Sequence, residues 1–94
     1  MLIQQNNNAS KTFNRSWDEY KLGFGDSEGN YWIGNHVLTW LTITGNYKLK
    51  IDLQQRNTSK WYEAKYNTFV VLPEMHNFKL LVDGYSGIVF LNYR

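Results

Sequence analysis

Ninety-four residues allow one small domain, and a chain of this length buries only somewhat more than ~60% of the surface that it exposes when unfolded. The composition is 43% hydrophobic and 17% aromatic, with four Trp, seven Tyr and five Phe, which excludes intrinsic disorder and supplies large side chains for a core. Ten Lys and Arg against eight Asp and Glu give a formal charge of +2 with the basic residues scattered, so nucleic-acid binding has no electrostatic support. Apolar runs such as residues 88–91 are only four residues long, far short of the ~20 residues that a membrane-spanning helix needs.

Residues 1–5 suggest a short strand, and the polar stretch 6–12 a loop. Ser16-Trp17-Asp18-Glu19 has the spacing of a capping box: the Ser16 hydroxyl accepts from the Glu19 N–H while the Glu19 carboxylate reaches back to the Ser16 N–H. A helix over Trp17–Leu22 follows, stopped by Gly23, and the turn 25–30 leads into Tyr31-Trp32. A second helix is predicted over residues 35–42 with Asn35 as its N-cap, because Val37, Leu38, Trp40 and Leu41 recur at helical spacing. After Gly45-Asn46 the period becomes two: Tyr47, Leu49, Ile51 and Leu53 alternate with Lys48, Lys50, Asp52 and Gln54. A polar turn over 55–59 precedes a strand with Tyr62, Ala64, Tyr66 and Thr68 on one face, extended by Val70 and Val71. Pro73 breaks it. Phe78, Leu80 and Val82 mark a third strand, ended by a turn at Gly84-Tyr85-Ser86-Gly87. Consecutive strands with short connections predict an α+β fold: an antiparallel twisted sheet with two short helices packed on it.

Little in this pattern carries chemistry. His36 and His76 have no carboxylate or second His at ligand spacing, and Asp26-Ser27-Glu28-Gly29-Asn30 lacks the closing Glu of a calcium loop. The pairs Asp18/Glu19 and Asp26/Glu28 imply no glycosidase pocket, and there is no Cys, Gly-x-Ser-x-Gly or phosphate-cradling loop. The chain is therefore expected not to be an enzyme. The aromatics of Trp61-Tyr62-Glu63-Ala64-Lys65-Tyr66 read as cross-strand core pairs rather than as a stacking platform.

On compartment, the residues conflict. A small secreted domain is usually stapled by disulfides, so the lack of cysteine points to the cytosol. Three Asn-x-Ser/Thr sequons, at Asn8, Asn14 and Asn57, point outside the cell. Met1-Leu2-Ile3-Gln4-Gln5 is not a signal peptide, so either the protein is cytosolic or its natural N-terminus lies elsewhere.

Phe13-Asn14-Arg15-Ser16-Trp17-Asp18-Glu19-Tyr20-Lys21-Leu22-Gly23-Phe24-Gly25, followed by Gly29-Asn30-Tyr31-Trp32-Ile33-Gly34-Asn35, resembles the F-x-R-x-W-x-E-Y-K-x-G-F-G…G-E-F-W-L-G-N signature of fibrinogen C-terminal domains. Leu2-Ile3-Gln4-Gln5, Tyr47-Lys48-Leu49-Lys50-Ile51-Asp52-Leu53, Phe78-Lys79-Leu80 and Gly84-Tyr85-Ser86-Gly87 are similar to further blocks of that family, so the resemblance runs over residues 2–87. It implies a partial domain over residues 1–87 and a divergent tail over 88–94. It further implies a secreted recognition protein whose disulfides lie on either side of this stretch, with Asn8, Asn14 and Asn57 as candidate glycan acceptors. The parent function it implies is non-catalytic binding, lectin-like or innate-immune in type, of a carbohydrate or protein ligand, with oligomers possible in the parent protein. The alternative is a structural, matrix or receptor-ligand module acting through protein contacts. In the family a calcium loop of D-x-D form, a Cys pair and a ligand pocket follow Gly-Tyr-Ser-Gly, whereas here Ile88-Val89-Phe90-Leu91-Asn92-Tyr93-Arg94 follows, so the chain is expected to carry no calcium or ligand site of its own. The expected core is Trp17, Tyr20, Phe24, Trp32, Leu41, Tyr47, Leu49, Ile51, Leu53, Phe78 and Leu80.

Overall fold

The computed structural model describes residues 1–7 and 11–90. The sequon at Asn8 and residues 91–94 of the expected tail lie outside them.

Helix α1 spans Trp17–Leu22. Its capping box forms as read, with Glu19 N donating to Ser16 Oγ at 3.2 Å and Ser16 N to Glu19 Oε1 at 3.2 Å. Arg15 adds an ion pair to Glu19 at 2.7 Å, and Gly23 N closes the last turn on Glu19 O at 2.8 Å. Three two-residue strands surround α1: β1 (Gln4–Gln5), β2 (Phe24–Gly25) and β3 (Tyr31–Trp32). They form a small antiparallel sheet in the order β1-β3-β2, with Trp32 opposite both Gln4 and Phe24.

Helix α2 runs Asn35–Thr44, two residues further than the sequence pattern predicts. Its N-cap is Gly34, not Asn35. Gly34 sits at φ +107 with the Leu22 backbone against it, and a Cβ there would come within 2.8 Å of the Leu22 carbonyl, so only glycine admits this crossing of chains. At the β-branched end of α2 the hydroxyls bond back into the helix, Thr42 Oγ1 donating to Leu38 O and Thr44 Oγ1 to Trp40 O, each at 2.7 Å.

The second sheet is an antiparallel meander of β4 (Leu49–Gln54), β5 (Trp61–Val71) and β6 (Leu80–Phe90), in that order. Two expectations need correction. Phe78 is not in a strand: Glu74–His76 forms a 3-10 turn, and Asn77 and Phe78 both adopt positive φ, which turns the chain back before Leu80 pairs with Val71. Gly84-Tyr85-Ser86-Gly87 is not a turn either. Tyr85 pairs with Tyr66 and Gly87 with Ala64 inside β6, and Gly84, at φ +71 against the Asn67 side chain, bends the strand without ending it.

The core is smaller than expected. Leu38 of α2, Phe69 and Val71 of β5, and Phe78 are buried, with Ile3, Trp32, Ile33 and Leu49 packed around them. Trp17, Leu53 and Leu80, expected inside, are 51%, 61% and 54% exposed, and Tyr47 is exposed as well. The remaining expected core residues, apart from Phe78, are half-buried. The accessible surface is 6860 Å², whereas a compact monomer of 11.2 kDa has roughly 5,700 Å². The radius of gyration, 14.4 Å, likewise exceeds the ~12 Å of a compact domain of this length.

Candidate interaction surface

The turn between β2 and β3 is locked from inside. Asp26 Oδ2 accepts from Thr12 Oγ1 at 2.7 Å and Asn30 Nδ2 at 2.9 Å, while Oδ1 accepts from Glu28 N at 2.9 Å and Asn30 N at 3.1 Å. The Thr12 hydroxyl and the Asn30 amide hold the Asp26 carboxyl down to about 2. Asn30, 1% exposed, also accepts from Asn7 N at 2.9 Å, tying the N-terminal segment to the turn. The two Asp26 oxygens thus accept four hydrogen bonds, all from N–H and O–H donors of the chain itself. Beside it Tyr20, Phe24 and Trp32 meet edge to face at 5.1 and 6.0 Å, and the Arg15 guanidinium lies 4.7 Å from the Phe24 ring centre.

Two other carboxylates are hubs. Glu74 accepts from Lys21 Nζ at 2.8 Å and Trp17 Nε1 at 3.0 Å, which together hold it below the usual carboxylate range. Trp17 in turn lies 5.6 Å from the Phe78 ring, so this half-exposed indole roofs the core. Glu63 on β5 is buried, and burial raises its carboxyl, but the ammonium groups of Lys50 at 3.2 Å and Lys65 at 3.3 Å outweigh it and leave the carboxyl lowered. Across β4 and β5 the charges stand like opposite like: Lys50 faces Lys65 and Asp52 faces Glu63.

A slot of about 430 Å³ lies between the two sheets. One wall is residues 1–4, the other residues 47–50, and Leu38, Leu41, Thr42 and Phe69 line it between them. Among the described residues β1 pairs with β3 and β4 with β5, so each strand lies at one end of its sheet order. No sequence pattern signals this slot, since it depends on how the sheets sit on α2. A second apolar surface is the outward face of α2, where Val37, Trp40 and Ile43 are exposed.

The residues singled out from the sequence are scattered. Asn14 is exposed between the first 3-10 turn and α1, and Asn57 is exposed in the turn at the tip of the β4–β5 hairpin. His36 lies edge-on to Phe78 at 5.6 Å, and His76 is exposed at the end of the short 74–76 turn. Among the described residues no group of three or more His, Cys, Asp or Glu side chains converges as a metal site would require. Tyr66 of the suspected platform packs on Tyr85 of β6 at 5.4 Å, and the Tyr62 hydroxyl donates to Gln55 at 3.1 Å. None of the helices among the described residues is long and apolar enough to cross a membrane.

The profile of the family described as fibrinogen beta and gamma chains, C-terminal globular domain, matches residues 1–91. The chain belongs to this family. Angiopoietin-4 of Bos taurus is 40% identical over 86 residues, which are 92% of this chain and 17% of that protein. Human ficolin-3 is 35% identical over the same share of this chain and 28% of its own length. The chain thus spans well under a third of these relatives. Among solved structures, the fibrinogen-like globe domain of human ANGPTL2 superposes with a TM-score of 0.82 at 37% identity, covering 92% of this chain and 39% of that one. A lamprey fibrin D-dimer complexed with the peptide Gly-His-Arg-Pro-amide gives 0.80 at 31% identity, covering 92% and 28%. These structures share the fibrinogen-like fold with the chain over the matched residues.

Proposed function

We propose that this chain is part of a secreted, non-catalytic recognition module whose partner is a protein or peptide. The family match over residues 1–91 carries the reading, and the peptide held by the lamprey fibrin relative favours this class of ligand. The carboxylates support a binding rather than a catalytic role, because Asp26, Glu63 and Glu74 are each held low by donors or ammonium groups and none is poised as a general acid near neutral pH. A lectin-like partner, an acetylated sugar, is the second reading, favoured by the ficolin-3 relative. On either reading calcium is assigned to parts of the fibrinogen-like domain other than the described residues, among which no group of three or more His, Cys, Asp or Glu side chains converges.

Two measurements test this. Sequencing the transcript past the codon for Arg94 is expected to show an in-frame D-x-D loop and two cysteines; a stop codon there overturns the recognition-module reading. Calorimetry of residues 1–94 with N-acetylglucosamine is expected to show no calcium-dependent heat, and saturable binding abolished by a chelator would refute the assignment of calcium elsewhere.

In a secreted protein Asn14 and Asn57 become glycan acceptors, with Asn57 the better placed. It is exposed at a hairpin tip, whereas the Ser16 hydroxyl of the Asn14 sequon is committed to the cap of α1. Expression in a secretory eukaryotic host is expected to give a glycosidase-sensitive mass that Asn57→Gln removes; an unchanged mass in the variant would exclude Asn57.

A further inference from the structure

We propose that Tyr66 and Tyr85 form an oxidative modification site, where a peroxidase acting with hydrogen peroxide joins the two rings into an intrachain dityrosine that staples β5 to β6. The backbone sets the pair, since Tyr66 stands directly opposite Tyr85 in the antiparallel register. Their ring centres are 5.4 Å apart with the planes tilted by 50°, and the rings of a biaryl are likewise twisted out of one plane. Tyr85 is 65% exposed, more than any other described tyrosine, so it meets an enzyme that works from solvent, whereas Tyr66 is half-buried. The Tyr85 ring leans along β6 over Gly87, where any side chain would collide with the phenol, and so stays on the face that carries Tyr66.

Each phenol gives up one hydrogen atom, as an electron and a proton, to the peroxidase, and one hydrogen peroxide is reduced to two waters. The unpaired electron of each phenoxyl is shared with the carbons ortho to oxygen, and one such carbon from each ring forms the new C–C bond. The ring protons displaced there pass through solvent back to the oxygens, restoring both phenols. Proximity decides the partner. A ring held beside its neighbour acts at an effective concentration of roughly mM or more, so in a ~10 μM solution the intrachain bond should outpace coupling between chains by about 100-fold. The chain has no cysteine, so a covalent tie between its strands must come from other side chains. This bond ties residue 66 to residue 85 and constrains the unfolded chain as a disulfide would. The inference goes beyond the recognition reading and depends on none of its ligands.

The test treats residues 1–94 at ~10 μM with hydrogen peroxide and a haem peroxidase. The expected product is a monomer with dityrosine fluorescence, whose tryptic digest joins peptides 66–79 and 80–94 with the loss of two hydrogens. Tyr93 lies in the second peptide, so variants assign the link: Tyr66→Phe and Tyr85→Phe should abolish it, whereas Tyr62→Phe and Tyr93→Phe should leave it. Yield should fall at least ~tenfold in denaturing urea, where the register is lost. The linked monomer should melt at least ~5 °C above the untreated chain. A link retained in Tyr85→Phe, a product found only between chains, a yield indifferent to urea or a linked monomer that melts no higher overturns the proposal. So does a folded, oxidised chain whose tyrosines are not coupled. If a phenylalanine variant does not fold, fragmentation of the joined parent peptides reads the linked residues directly, and any bond other than one between Tyr66 and Tyr85 refutes the assignment.

Discussion

Thr42 is where the helix layer is fastened to the sheet, and replacing it by Val separates packing from hydrogen bonding. The residue is 3% exposed; its Oγ1 donates to Leu38 O at 2.7 Å and accepts from Val71 N at 2.9 Å. Valine keeps the shape. Leu38 O remains paired within α2, but the Val71 N–H loses its acceptor in a buried position, at a cost of about 1–3 kcal/mol. The added methyl returns part of this, leaving a net loss of about 1–2 kcal/mol. At ~4–8 °C per kcal/mol for a chain of this size, the melting temperature should fall by about 5–15 °C. Thr42→Ser keeps the hydroxyl and gives up only a buried methyl, about 1 kcal/mol. Circular dichroism melts give the totals, and exchange of the Val71 amide locates the effect: it should quicken in Thr42→Val and not in Thr42→Ser. A Val variant as stable as the parent, with the Val71 amide unchanged, would refute the reasoning.

Acid should act through Asp26. Its folded carboxyl is depressed to about 2 from 3.8, so its contribution is complete above pH ~4 and is lost as the pH falls through about 2. A carboxyl titration by NMR should show the low midpoint, and Asp26→Asn should flatten the acid limb of the stability curve; a midpoint near 4 would contradict the hydrogen-bond geometry. Ser16→Ala removes the cap of α1 and should cost about 1 kcal/mol, read in a chemical melt. Gly84→Ala places a Cβ 2.8 Å from Asn67 Cβ at φ +71, and should destabilise by at least ~1 kcal/mol and loosen the β5–β6 amides; equal exchange in both proteins would show that the bend tolerates side chains.

The capping box and α1 were legible in the sequence because every interaction that makes them lies within four residues. The hairpin of β4 and β5 was legible for a similar reason, since alternation and a polar turn are local signals. Gly84-Tyr85-Ser86-Gly87 misled because glycine and serine signal turns, while what keeps the segment extended is pairing with β5 nearly twenty residues earlier. The core was misjudged in two ways. Apolar alternation identifies side chains able to be buried, not those with a layer above them, so Trp17, Leu53 and Leu80 were expected inside and are half exposed or more. On β5 the charge of Glu63 disguised the face that it shares with Phe69 and Val71, which is the buried one. The slot left no trace in the sequence, being a relation between two sheets.

The charge arrangement on the β4–β5 hairpin has a consequence for strand alignment. Like charges directly opposite one another are unfavourable, and here Lys50 meets Lys65 and Asp52 meets Glu63. Sliding the strands by two residues to put Lys50 squarely opposite Glu63 would bring Lys48 opposite Lys65. In the observed alignment Lys50 already reaches Glu63 diagonally at 3.2 Å and Lys65 reaches it along β5 at 3.3 Å, so the charges give no gain on slipping. The turn adds its own constraint, since Gln55 N bonds Lys60 O at 2.8 Å, Ser59 N bonds Gln55 O at 3.0 Å and Ser59 accepts φ +54. Turn and ion pairs thus hold the same alignment, and a glycan on Asn57 would load one of the two elements that set it.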